Sequence, residues 1–203
     1  MEIKNIIFDL GGVFINLDNK LTEKAFVEMG VAQFGQFFGH GFAASFFREY
    51  ELGKISDAEF ISHLRTLGKL DAPDEAIISA WNELLLDFPP ERIRFLQNIR
   101  GRYRLFLFSN TNALHMARVR SIFQTTFAGG SLEDFFDKTY YSHEIGLRKP
   151  ELESYYYILG DQKLEAAHTL FVDDALVNVE GAIAAGLQGH FLAPGTTVLD
   201  LVL

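Results

Sequence analysis

The chain has 203 residues, 48% of them hydrophobic and 22% charged, which suits a globular domain with a modest insertion and excludes a disordered chain. The formal net charge is −9 and no block rich in Lys or Arg occurs, so nucleic acid is set aside as a partner. There is no cysteine, which excludes disulfides and thiolate zinc sites.

Residues 3–8 (IKNIIF) form a short, almost continuous apolar run, the pattern of a strand buried on both faces. The opening stretch carries Glu2, Asp9 and Asp18 and lacks the basic start and cleavage site of a secretion signal. No apolar run reaches the roughly 18 residues of a membrane span. A cytoplasmic enzyme without membrane contact is therefore expected. From about 17 to 88 the sequence reads as helices only: TEKAFVEMG, the Phe-rich FGQFFGHGFAASFFREYELG, SDAEFISHLRTLG and PDEAIISAWNELLLDF. Gly53, Gly68 and Pro73 punctuate this stretch, and Pro89-Pro90 closes it. Ser56 and Glu59 have capping-box spacing, and Asp71 or Pro73 leads into an acidic first turn. Phe34, Phe37, Phe38, Phe42, Phe46 and Phe47 recur at about helical spacing. They are expected to form the segment's own core or its seam with the rest, the alternatives being an apolar substrate pocket or a dimer surface.

Further strand-like runs follow at Arg104–Phe108, Lys138–Tyr141, Thr169–Val172 and His190–Leu192. Helical stretches near 91–100, 112–123, 151–159 and 178–185 separate most of them. The alternation predicts an α/β fold, a doubly wound parallel sheet made of residues 1–16 and 89–203, with 17–88 as a helical insertion.

Ligands of such sheets bind beyond the carboxyl ends of the strands, so the residues there are the candidates for chemistry. Asp9, followed by Gly11 and Gly12, is either a plain strand end or a carboxylate on a tight turn where backbone N–H groups approach an anion. Such a carboxylate can attack phosphorus and form an acyl phosphate. Ser109-Asn110-Thr111 suits both a helix N-cap and a phosphate site. Lys149 before Pro150 reads as an exposed turn residue or as a fixed ammonium that neutralises phosphoryl oxygens, with Arg148 a surface or packing partner. Asp173-Asp174 ends the apolar run TLFV, where a purely structural pair of carboxylates is expensive. A hard cation such as Mg²⁺ suits it, and would reverse the field that an acidic protein presents to a phosphorylated substrate. Asn178 is placed to steady the pair, and Gly181 and Gly186 to allow close helix packing.

Four segments, FDLGGV at 8–13, FSNTN at 108–112, GLRKP at 146–150 and FVDDALVNVEGAIAAG at 171–186, stand in an order that resembles the haloacid dehalogenase-like hydrolases, in the branch with an α-helical cap after the first motif. The resemblance implies a Rossmann-like core, residues 17–88 as cap, and Mg²⁺-dependent phosphatase activity on a small phosphorylated metabolite. It implies Asp9 as nucleophile, Ser109 as phosphoryl ligand and Lys149 as charge stabiliser. Gly11, Gly12 and Asn110 would line the phosphate. Asp9, the Gly11 carbonyl and Asp174 would hold Mg²⁺, with Asp173 a ligand or a partner behind it.

One position departs from the pattern. Phosphatases of this type usually carry a second Asp two residues after the nucleophile, as general acid and base, and here Gly11 stands there. That help is worth ~10²–10⁴-fold, so activated esters such as sugar 1-phosphates become the expected substrates. Asp18, His40 and His143 are the candidate replacement donors. The same glycine keeps two alternatives open, a 2-haloacid dehalogenase and a catalytically weak phosphate-binding or regulatory protein. A monomer or homodimer is expected.

Overall fold

The computed structural model describes residues 2–37 and 45–203. Phe38, Phe42 and His40 lie outside the described residues. Five strands, β1 (Asn5–Phe8), β2 (Arg104–Ser109), β3 (Lys138–Tyr141), β4 (Thr169–Asp173) and β5 (Gln188–Phe191), form one sheet in the order β3-β2-β1-β4-β5. Every pairing is parallel; Ile7 of β1 stands beside Phe106 on one side and Phe171 on the other. β1 is thus central and wholly buried, as its unbroken apolar run requires.

Alternation along β1 sends its residues to two separate cores. Ile6 and Phe8 pack with Leu96 of α6 (Pro90–Ile99) and Met116 and Phe123 of α7 (Ala113–Thr126). Ile7 packs with Tyr155 and Ile158 of α9 (Leu152–Gln162) and Val179 and Ala182 of α10 (Leu176–Ala184). A four-residue helix, α8 (Ser142–Ile145), follows β3. Helices therefore cover both faces, the doubly wound arrangement.

Between β1 and α6 lie α1 (Asn19–Glu28), α2 (Phe34–Phe37), α3 (Ser45–Glu51), α4 (Asp57–Gly68) and α5 (Asp74–Asn82). They surround a third cluster built largely of rings, including Phe26, Phe34, Phe46, Phe47, Phe60 and Trp81. Tyr50 and Phe60 stack with centroids 4.0 Å apart, and Phe60 meets Trp81 at 4.9 Å. The capping box at Ser56 and Glu59 forms, and Pro73 precedes a first turn carrying Asp74 and Glu75. The chain enters and leaves this layer side by side: Leu17 pairs with Leu85, and Asn16 exchanges backbone hydrogen bonds with Asp87 and Leu86.

Three expectations need correction. The last strand is Gln188–Phe191, not 190–192, and it is a half-exposed edge rather than a strand buried on both faces. The helix after β2 starts at Ala113 and is capped by Asn112, whose side chain accepts from the His115 amide, so Ser109 is not the N-cap. Gly186 makes no close helix contact; it sits after α10 with φ 93°, a left-handed turn. Gly181 does pack closely, since a Cβ there would fall 2.7 Å from the Pro150 carbonyl oxygen.

Candidate active site

The parallel register puts the carboxyl ends of β1, β2 and β4 side by side, and with them Asp9, Ser109 and Asp173, all buried. Lys149 arrives from the loop before α9 and is 1% exposed, which overturns the exposed-turn reading. Its Nζ donates to Asp9 Oδ1 at 2.6 Å and to Asp173 Oδ2 at 2.7 Å. The ammonium also lies 5.4 Å from the ring centroids of Phe108 and Phe171, which stand on β2 and β4, the two strands that flank β1. Asn110 fixes the lysine's backbone: its Nδ2 donates to the Lys149 carbonyl and its Oδ1 accepts from the Lys149 amide, each at 2.9 Å. The Asn110 side chain is thereby engaged, and its main chain is what remains for a ligand.

The two adjacent aspartates differ sharply. Asp173 is fully buried; besides Lys149 it accepts from the Ala175 amide at 2.7 Å and from Asn178 Nδ2 at 3.1 and 3.2 Å. Asp174, next along the chain, is exposed. Gly12 makes room for it: the residue has φ 70°, and a Cβ there would fall 2.1 Å from Asp174 Oδ2. Only glycine meets both conditions without strain. Oxygens of Asp9, Asp173 and Asp174 lie within 4.8 Å of one another, a donor set that fits a hard divalent cation. A Cβ at Gly11 would stand 3.9 Å from Asp9 Oδ2 and 2.6 Å from Leu17 Cδ1.

Electrostatics follow from this crowding. Burial, opposed by Lys149 and reinforced by Asp173 and Asp174, pushes the Asp9 carboxyl up to about 7. Burial works against the Lys149 ammonium, but the carboxylates of Asp173 and Asp9 outweigh it and hold the lysine above its ordinary range. Asp174 is exposed as a residue, but the desolvation of its carboxyl at the site and the charge of Asp173 also raise it, against Lys149.

Beside Asp9 opens a cavity of about 250 Å³ whose lining includes Ser109, Asn110, Lys149 and Asp174 from the strand ends. The helical layer and its connections supply Leu17, Asn19, Glu51, Trp81, Leu84 and Leu85. His115 of α7 lines it too, stacked 4.7 Å from Trp81, with Nε2 against the Trp81 carbonyl and Nδ1 against Asn112. Burial pushes its pKa down to about 4. Asp18 instead caps α1 by accepting from the Lys20 amide, and His143 packs on Tyr141; neither lines the cavity. Glu51, Trp81 and His115 were not singled out in the sequence, where each stands inside an ordinary amphipathic helix and no local motif marks it.

A sequence profile for haloacid dehalogenase-like hydrolases matches residues 3–186. The D-ribitol-5-phosphate phosphatase of Bacteroides thetaiotaomicron is 31% identical over 177 residues, covering 87% of this chain and 85% of that one. A sesquiterpene phosphatase of Aspergillus oryzae is 25% identical, covering 98% and 94%. Among solved structures, a variant of a haloacid dehalogenase family enzyme of B. thetaiotaomicron, in complex with magnesium and inorganic phosphate, superposes with a TM-score of 0.90 at 32% identity, covering 95% of each chain.

Proposed function

Because this chain belongs to the haloacid dehalogenase-like hydrolases, we propose that it hydrolyses a sugar or polyol phosphate through an aspartyl phosphate on Asp9, beneath residues 17–88 as a cap. It is a phosphatase of a small phosphorylated metabolite, and Mg²⁺ is its cofactor. The observation that carries the reading is the Lys149 ammonium held between Asp9 and Asp173 at the mouth of β1, with Ser109 one strand away.

Lys149 holds Asp9 by Oδ1 and leaves Oδ2, the oxygen facing Gly11, to attack phosphorus. The Asp9–phosphorus bond forms as the ester's phosphorus–oxygen bond breaks, and the leaving oxygen departs with the electron pair. Water then attacks the acyl phosphate, releasing inorganic phosphate and restoring the carboxylate. Ser109 Oγ, the Asn110 amide and Lys149 bind and neutralise the phosphoryl oxygens. Asp9, Asp174 and the Gly11 carbonyl would hold Mg²⁺, which supplies positive charge to the transferring group when bound. Asp173, saturated by Lys149, Asn178 and the Ala175 amide, stands behind them and positions the lysine.

Gly11 offers no proton to the leaving oxygen. The neutral His115 beside the cavity has both ring nitrogens engaged. Rates should therefore fall steeply as the leaving group becomes a poorer one, with sugar 1-phosphates ahead of primary alkyl phosphates. The test is phosphate release from esters of graded leaving-group pKa, with Mg²⁺ and with chelator, and with Asp9→Asn as control. A rate insensitive to leaving-group pKa would overturn the missing-acid reading; activity surviving in Asp9→Asn would overturn the nucleophile. The dehalogenase alternative is disfavoured by Asp173 and Asp174, which crowd negative charge where an anionic haloacid would bind. Mg²⁺-independent halide release would restore it. Tight Mg²⁺ and phosphate binding without turnover would favour the binding-protein alternative.

A further inference from the structure

Phosphoryl transfer to Asp9 makes no use of one carboxylate in the cavity wall, that of Glu51, the last residue of α3. We propose that Glu51 recognises hydroxyl groups on the organic part of the ester, selecting polyol and sugar phosphates over apolar ones; this rests on the phosphatase reading.

The first support is position. Although it belongs to the helical layer, Glu51 is fixed relative to the sheet. Its Oε2 pairs with Arg148 Nη2 at 3.0 Å, one residue before the catalytic lysine. Three more contacts of α3 and the turn after it hold that placement. Arg48 pairs with Glu151, the Tyr50 hydroxyl accepts from the Leu114 amide at 3.3 Å, and the backbone at Gly53 runs against α8. A Cβ at Gly53 would fall 2.1 Å from the His143 carbonyl oxygen, so the two backbones touch there.

The second support is chemistry. An ionised carboxylate only accepts hydrogen bonds, and it repels a phosphate. In a cavity built for a phosphate dianion, it can face only the far end of the ester, and there only donors satisfy it. Hydroxyl groups are such donors. The Arg148 pair does not occupy it fully: an arginine commonly grips a carboxylate by two nitrogens, whereas here Nη2 alone reaches Glu51, at Oε2, and Arg148 Nε is buried without a partner among the described residues. Oε1 of Glu51 is therefore left for the substrate. Arg148, with Lys149 and Arg48, opposes the burial that raises its pKa. Among the described residues, the wall that the helical layer supplies is mostly apolar, with Leu17, Trp81, Leu84 and Leu85, and Asn19 is the polar side chain it adds beside Glu51.

The experiment compares two primary alkyl phosphates with the same leaving chemistry, a pentitol 5-phosphate and 1-pentyl phosphate. Their affinities are measured by calorimetry in Mg²⁺ on Asp9→Asn protein, with and without Glu51→Leu. The preference for the pentitol ester should fall about 10- to 100-fold in Glu51→Leu, the usual worth of a hydrogen bond to a charged group. Glu51→Gln, which keeps shape and one acceptor, should fall between the two and guards against a folding defect. An unchanged preference, or both esters weakened by one common factor, would overturn the inference and leave Glu51 a structural partner of Arg148. Failure of inorganic phosphate to bind the parent protein in Mg²⁺, with Asp9 in place, would overturn the phosphatase reading, and this inference with it.

Discussion

At the carboxyl ends of β1, β2 and β4, buried polar groups find partners distant in the chain: Lys149 with Asp9 and Asp173, Asn110 with the Lys149 backbone, and the Thr111 amide with Ser142 Oγ. The layer formed by α1–α5 is held largely by other means, a cluster of aromatic rings around Phe60, with Thr22 joining the Trp81 carbonyl to the Leu84 amide. Hydrogen bonds are directional, so the first region holds its side chains in one mutual geometry. Ring packing tolerates adjustment, so the second can reshape a pocket while the chemistry beneath it stays in register. Chemistry on the sheet and selection on the helices is the division this difference supports.

Substitutions in the two regions should separate that division cleanly. Lys149→Met removes the partner of two buried carboxylates and should lower kcat/KM for an aryl phosphate by about 10³-fold. A loss below tenfold would show that the sheet-end cluster is not where the reaction occurs. Phe60→Ala, in the ring cluster and fully buried, should lower unfolding free energy by about 3–5 kcal/mol in urea titrations, with kcat within a few-fold at temperatures where the protein stays folded. A collapse of kcat without loss of stability would erase the distinction.

A smaller effect probes the seam. His115 stacks on Trp81 across the two regions, and its pKa is lowered to about 4 from 6.5. Between those values the unfolded chain takes up a proton that the folded one refuses. Its contribution is therefore intact above about pH 6.5 and lost as pH falls towards 4, by at most about 3 kcal/mol. His115→Gln should flatten that part of the pH–stability profile, read as the difference from the parent protein. The smallest change concerns Gly11→Asp. The added Cβ meets only the tip of Leu17, which can rotate away, and the new carboxyl would stand near Asp9 Oδ2. Primary alkyl phosphates should gain up to about tenfold and aryl phosphates little.

The strand ends were readable in the sequence because each is a buried apolar run followed at once by its polar residue: IIF-Asp9, FLF-Ser109, LFV-Asp173. The parallel sheet does the rest, gathering residues from three distant segments. What could not be read is depth and direction. Lys-Pro has the look of a surface turn until β2 and β4 are seen to wall it in with Phe108 and Phe171. Asp173 and Asp174 look equivalent, yet one ends the strand facing Lys149 and the other passes onto the turn beside Gly12. Glu51 was invisible because its partner Arg148 comes from the far side of the chain, and no periodicity records that meeting. The edge strand was misplaced because QGHF pairs on one side only and needs no apolar run.

The cluster of three carboxylates around one ammonium has a thermodynamic corollary. With all three ionised, it carries two negative charges in excess, so an incoming phosphate dianion meets net repulsion until a divalent cation is present. Cation and ester must then bind with positive linkage, each raising the other's affinity by the same factor. Productive encounters would follow an order, metal first, and the apparent Michaelis constant would fall as Mg²⁺ concentration rises until the metal site saturates.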